Sequence, residues 1–114
     1  MATRNFTTDR SGSPRVVFVT WTGLLNGDDG TPVVLPGMDL VSFQVTGTSG
    51  TGGSIQIEAS NEATPANWAV VGAAVTAAGM NYPADYAVAR NFRPRVSAGD
   101  GTTSFGVNAC FRLP

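Results

Sequence analysis

Apolar and polar residues alternate with a period of two along most of this chain, and helical periodicity is hard to find, so the pattern predicts an all-β fold. In Val41-Ser42-Phe43-Gln44-Val45-Thr46 the alternation turns Val41, Phe43 and Val45 toward a core and Ser42, Gln44 and Thr46 away from it. Residues 54–60 repeat the logic, with Ile55, Ile57 and Ala59 inward and Gln56 and Glu58 outward. Near the C-terminus Phe105, Val107, Ala109 and Phe111 alternate with Gly106, Asn108, Cys110 and Arg112. The run Arg15 to Thr22 is apolar on both faces near its middle, the mark of a strand covered on two sides or lying against a partner. Val33 to Leu35, Trp68 to Val71, Tyr86 to Arg90 and Phe92 to Val96 complete the set.

About seven or eight short strands of this kind make an antiparallel β-sandwich or jelly roll. Pro94 cannot donate to a sheet ladder, so its strand is expected at an edge or with a bulge. Turn residues fall between the strands, at 26–30, 36–37, 47–53, 61–67 and 99–101. The Ala-rich stretch 70–80 could hold a helical turn, but Gly72 and Gly79 bracket it and weaken a helix. Residues 45–59 and 96–109 echo one another, each a strand, a Gly/Thr/Ser-rich reversal and a strand opening with Ser, and each reads as a hairpin. Convergence of two hairpins on the same residues is favoured over duplication.

The organisation is a single β-sandwich domain over 15–114, preceded by a polar segment, 1–14, rich in Thr, Ser and Arg. Extended, that segment reaches about 45 Å at about 3.3 Å per residue. It reads either as a disordered tail or as an extended arm that orders on a neighbour.

Composition narrows the chemistry. The 114 residues include 42% hydrophobic and 13% charged residues, with a net charge of −1. That balance disfavours nucleic acid and anionic membranes as partners, because both require concentrated positive charge. All seven basic residues are arginine, since the chain has no lysine and no histidine. A Ser-His-Asp triad, a Cys-His pair, an imidazole metal site and a Schiff-base lysine are thereby excluded. The one cysteine, Cys110, can make no internal disulfide and no structural zinc site. Neither a signal-peptide run nor a membrane span stands out, so synthesis in the cytosol is expected. No catalytic residue, metal ligand or cofactor emerges, and the expectation is a protein that is not an enzyme.

Several stretches nonetheless imitate sites. Gly47-Thr48-Ser49-Gly50-Thr51-Gly52-Gly53-Ser54 has the spacing of a phosphate loop, with Gly53 in place of the lysine. A phosphate loop also needs a helix after it, and the following SIQIEAS alternates as a strand, so a turn is the better reading. Asn26-Gly27-Asp28-Asp29-Gly30 offers alternating oxygens for calcium, yet lacks the remaining ligands of an EF-hand and suits a solvated turn. The carboxylates Asp9, Asp28, Asp29, Asp39, Glu58, Glu62, Asp85 and Asp100 fall mostly in turns or at strand ends, and nothing marks a glycosidase pair. Trp21, Trp68, Tyr82 and Tyr86 could stack on sugars, but core or interface anchors are the favoured reading of the tryptophans. Arg90, Arg93 and Arg95 lie along one strand region, where they either fork onto a neighbouring subunit's carboxylates or form a solvated face.

Taken together, Trp21-Thr22-Gly23-Leu24 with Asn26-Gly27-Asp28, Val45-Thr46-Gly47-Thr48, the run from Gly53 to Glu62, Trp68, Asn91-Phe92-Arg93-Pro94-Arg95-Val96 and Gly99-Asp100-Gly101-Thr102 resemble small virion proteins of tailed bacteriophages. The likeness covers most of the chain after residue 15. The strand, Ala-Ser-Asn-Glu turn and Trp also resemble carbohydrate-binding and tail-fibre sandwich modules. The phage resemblance implies a capsid decoration or cement protein, a homo-oligomer (dimer or trimer) on the capsid surface of the virion that binds the major capsid protein and bridges its subunits. Such proteins have no catalytic residues to carry over. Arg4, Phe6, Arg10, Trp21, Arg93 and Arg95 are the expected subunit or capsid contacts.

Overall fold

A computed structural model of the chain describes residues 2–10, 12, 15–35, 37–82 and 87–113, so that Pro14, Pro36, Asp85 and Tyr86 of the readings above lie outside the described residues. Among the described residues there are twelve strand segments and no helix. In chain order they are β1 (Thr3–Arg4), β2 (Phe6–Asp9), β3 (Val16–Leu25), β4 (Asp29–Gly30), β5 (Val33–Val34) and β6 (Asp39–Thr48). Then follow β7 (Ser54–Ser60), β8 (Ala69–Val75), β9 (Gly79–Asn81), β10 (Ala87–Val88), β11 (Asn91–Ala98) and β12 (Ser104–Arg112).

The strands form two six-stranded sheets packed as a β-sandwich. Sheet A runs β1-β4-β11-β7-β8, with β5 also on β11; sheet B runs β10-β6-β12-β3-β2, with β9 also on β6. The period-two alternation is what permits this, since each sheet can bury one face and wet the other. Strand β12 contributes Phe105, Val107, Ala109 and Phe111 to the core, all buried as the alternation requires. Phe92 of sheet A meets Phe111 of sheet B at 5.0 Å between ring centroids, so the core is closed by aromatic contact across the layers. Each such side chain contributes about 1.5–3 kcal/mol by leaving water.

Bulges account for the departures from simple alternation. In β6, Leu40 is buried at 0% exposure and Val41 is only partly buried, the reverse of the sequence expectation. The β12–β6 ladder shifts register between Cys110 and Phe111, opposite Ser42 and Leu40, and the extra residue returns Leu40 to the core side. A second shift, between Phe105 and Val107, lets both Trp21 and Leu24 of β3 point inward, with Gly23 at a φ of 67° supplying the left-handed backbone. The outer face of β3 is not covered: Phe18 is 38% exposed.

Pro94 sits inside sheet A rather than at an edge. The amide of Val96 donates to the Asp28 carbonyl and the Arg90 carbonyl accepts from Leu35, so alternation turns Pro94 to that same side. There β5 pairs at Asn91 and Phe92 and β4 only at Arg95, leaving a gap in which no N–H is needed. A bulge does occur in this strand, at Ser97.

Two further expectations change. The stretches 45–59 and 96–109 are not hairpins, because β6 and β7 lie in different sheets, as do β11 and β12. They are arches over the core, set side by side because β12 pairs β6 and β11 pairs β7. Within the N-terminal segment, residues 3–9 are paired with this chain's own sheets. Strand β1 pairs parallel with β4 and β2 antiparallel with β3, so residues 3–9 stitch one sheet to the other. Polar composition suggested a tail, but a two-layer fold has edges whose backbone groups take up a polar strand.

Candidate functional site

The outer face of sheet A carries the densest polar cluster. Arg93 and Glu58 are directly opposite on β11 and β7, and the guanidinium Nε donates to Glu58 Oε1 at 2.9 Å. Its Nη1 donates to Asp29 Oδ2 at 3.1 Å, and its Cζ lies over the Trp68 ring, 4.1 Å from the centroid. Gln56 donates to the other oxygen of Glu58 at 2.8 Å, with Arg95 Nη1 3.9 Å from the same atom. The Glu58 side chain is 5% exposed and that of Arg93 18%, so the pair is held in partial shelter from water, where removing one partner costs most.

A second carboxylate hub closes the N-terminus. Asp28 accepts from the amides of Ala2 at 2.8 Å and Leu25 at 3.0 Å, and from Arg4 Nε at 3.1 Å. Burial pushes its acidity down, but these donors outweigh burial and the carboxyl lies below its ordinary value. Both its oxygens therefore face hydrogens, which is the opposite of what a calcium ligand presents. No group of three or more His, Cys, Asp or Glu side chains suited to a metal ion occurs among the described residues.

At the tip of the two arches the glycine-rich stretch finds its anion within the chain. The amide of Thr51 donates to Asp100 Oδ2 at 3.1 Å, and Thr102 donates to Oδ1 through its amide and its hydroxyl. These bonds hold Asp100 at a pKa of about 2. Thr103 ties the arches again by donating to the Ser49 carbonyl at 2.7 Å. A Cβ at Gly53 would run into that Ser49 carbonyl, so a lysine cannot stand there without moving the loop.

Glu62 organises the loop from β7 to β8. It accepts from the amides of Asn67 and Ala66, the side-chain amide of Asn67 and the hydroxyl of Ser60, which draw its pKa down to about 2. Buried Asn91 pins the loop from below through the carbonyls of Ser60 and Glu62. Beside it opens a shallow cavity of about 600 Å³, lined by Asn61, Glu62, Asn67 and Trp68 among others.

The expected contact residues fare unequally. Trp21 is a core residue at 1% exposure, its indole N–H donating to the Thr31 carbonyl, so it is withdrawn from the list of contacts. Phe6 packs edge-on against it at 5.8 Å and is only partly accessible. Arg4 and Arg93 are bound to carboxylates of this chain, not held out for a neighbour's. Arg95, with 47% of its side chain exposed, and Arg10 remain on the surface. The sequence reading missed Glu58, Asp28 and Asp100 as hubs; Glu58 is visible in sequence as a charged position on a strand, but its arginine partner is set by the pairing of β7 with β11.

No protein-family model matches this chain, and no curated protein matches it. Among solved structures, the crystal structure of Peruvianin-I, a cysteine peptidase from Thevetia peruviana latex, is similar over 87% of this chain and 51% of its own length, at 15% identity and a TM-score of 0.45. The chain thus spans about half of that protein. A likeness of this extent identifies no activity.

Proposed function

We propose that this is a non-enzymatic structural protein of a tailed-phage virion, a decoration or cement protein that binds the assembled head and bridges subunits of the major capsid protein. One observation carries the reading. Asp28, Asp29, Glu58, Glu62 and Asp100 each accept from two or more donors of their own chain, so these carboxylates brace loops and strands and are not poised to take a proton from a substrate. A fold that spends its charge internally and shows a low-charge exterior is suited to broad packing contacts. Contacts that exist only on the assembled lattice stabilise that lattice by linkage, and several symmetry-related contacts reinforce one another. Of the residues expected at the contact, Arg10 and Arg95 are the exposed ones.

The test is co-sedimentation of the full chain with purified heads. Retention on assembled heads, and at least tenfold weaker retention of Arg10→Glu/Arg95→Glu, is expected. Absence of retention on heads would overturn the reading. Deleting residues 1–14 is a poor alternative, because it removes β1 and β2 and tests folding along with binding.

The cavity beside Trp68 favours a second reading, a carbohydrate-binding module. An aromatic wall next to the amides of Asn61 and Asn67 offers an apolar face and hydrogen bonds to a neutral sugar. Quenching of tryptophan emission by a glycan panel, lost in Trp68→Ala, would select it.

A further inference from the structure

The longest uncharged run in the sequence, 63–84, includes the whole of β8 and β9, and the described part of it lies on one flank of the sandwich. Strand β8 ends the order of sheet A and has no neighbour on its outer side among the described residues, while β9 pairs onto β6 of sheet B. From Ala69 to Tyr82 only Val71, Val75 and Asn81 are partly buried, and the others are exposed. The exposed residues include Val70 at 46%, Met80 at 50% and Tyr82 at 71%. Between Val71 and Val75 the strand leaves its ladder with Ile57 and Ile55, so Gly72, Ala73 and Ala74 stand away from β7. They line a cleft of about 140 Å³ with Asn81, Tyr82 and, at its floor, the core residue Phe43.

From these features we infer that the β8–β9 flank is the surface on which a second copy of this chain docks. Charge is the first argument. The flank has none, so apposing it to itself buries no like charges and strips water from no ion, whereas a charged partner would lose solvation with nothing to pair against. Area is the second. A stable interface takes about 800 Å² from each partner, about one seventh of the 5773 Å² that this chain exposes. Residues 69–82 are about an eighth of the chain and eleven of these fourteen are exposed, so the flank is of the order of size that such an interface draws on. Symmetry is the third: an edge strand facing its own copy across a two-fold axis satisfies the unpaired backbone of both at once. The bulge at 72–74 confines such pairing to Ala69–Val71 and leaves the cleft for a side chain from the opposite rim. At about 140 Å³ the cleft is of the size that receives a slender side chain such as a partner's Met.

The inference rests on the reading of this protein as one that works by contact, but not on the capsid as its partner. Sedimentation velocity of the full chain, from micromolar to submillimolar concentration, should give at least twice the 11.8 kDa of one chain. Val70→Lys/Met80→Lys should sediment as a monomer with unchanged circular dichroism. Val34→Lys, which places the same charge on another exposed valine, should leave the oligomer intact. Hydrogen exchange on the wild type supplies a measurement independent of variant folding: amides of 69–75 should gain protection with concentration. A wild type at 11.8 kDa throughout, a concentration-independent exchange pattern, or an oligomer indifferent to the double substitution would overturn the inference. A monomer retained on heads would sink it and leave the decoration reading standing, and an oligomer that ignores heads would do the reverse.

Discussion

On the outer face of sheet A, Arg93 is held by Glu58, Asp29 and the ring of Trp68, and both oxygens of Glu58 are engaged within the cluster. One strand away, β8 shows water a run of Ala, Val and Gly with no charge at all, and β9 of sheet B adds the exposed Met80. Both regions are surface by position, since each sheet has only one face in the core. The difference teaches what each is for. A polar cluster with partners in its own chain fixes geometry, whereas an apolar flank left in water is the kind of surface that the proposed contact between copies would use.

Two glycines put that contrast to the sharpest test. At Gly30 an added Cβ would lie 2.5 Å from Pro94 Cδ and 2.5 Å from Trp21 Cδ1, both packed rings, so Gly30→Ala forces the core and the Pro94 gap apart. The expected loss is about 3 kcal/mol, the upper range for overpacking. At Gly72 a Cβ meets nothing within 4 Å, and only the φ of 73° resists it. Gly72→Ala should therefore cost about 1–2 kcal/mol of backbone strain. Urea midpoints of the two variants measure the difference, and equal losses would mean that the flank is as tightly built as the sheet.

Next in size is the clamp itself. Glu58→Gln removes the charge opposite Arg93 while keeping the shape, and leaves the guanidinium with Asp29 and Trp68. A loss of about 2–3 kcal/mol is expected, below the 3–5 kcal/mol of a fully buried pair because Asp29 remains and part of Arg93 is wet. Chemical denaturation in low and high salt measures it. A loss that vanishes in high salt would show the pair to be an ordinary surface bridge.

How far these regions could be read from the chain differs for physical reasons. The alternation at 54–60 and 105–111 located β7 and β12 because those strands each bury one face along their whole length. Alternation misled at Val41 because a single bulged residue inverts the facing on its N-terminal side, and the bulge is set by pairing with β12, which lies about seventy residues away. Arg93 and Glu58 were visible as polar positions on strands, but their register across β11 and β7 is long-range information. The flank was hidden for another reason. Val70 and Val71 look alike in sequence, and which one faces water depends on the edge position of β8.

The smallest expected effect separates the two regions by pH. Glu62 and Asp100 have pKa values of about 2, held down chiefly by donors from Asn67 and Ala66 in one case and from Thr102 and Thr51 in the other. A carboxyl depressed below its ordinary value stabilises the folded loop fully above that value and loses this as the pH falls toward the depressed one. Since the ordinary values are 4.5 and 3.8, loosening belongs between about pH 4.5 and 2. Protection of the Ala66, Asn67, Thr51 and Thr102 amides, corrected for intrinsic exchange, should fall several-fold across that window. Strand β8 has no titratable side chain, so in the double variant Val70→Arg/Met80→Arg, where any contact between copies is broken, its amides should hold constant protection. Glu62→Gln and Asp100→Asn should show the low-pH protection at every pH. If the β8 amides followed the same curve as Asn67, the loop and the flank would be one cooperative unit and the contrast between them would fail.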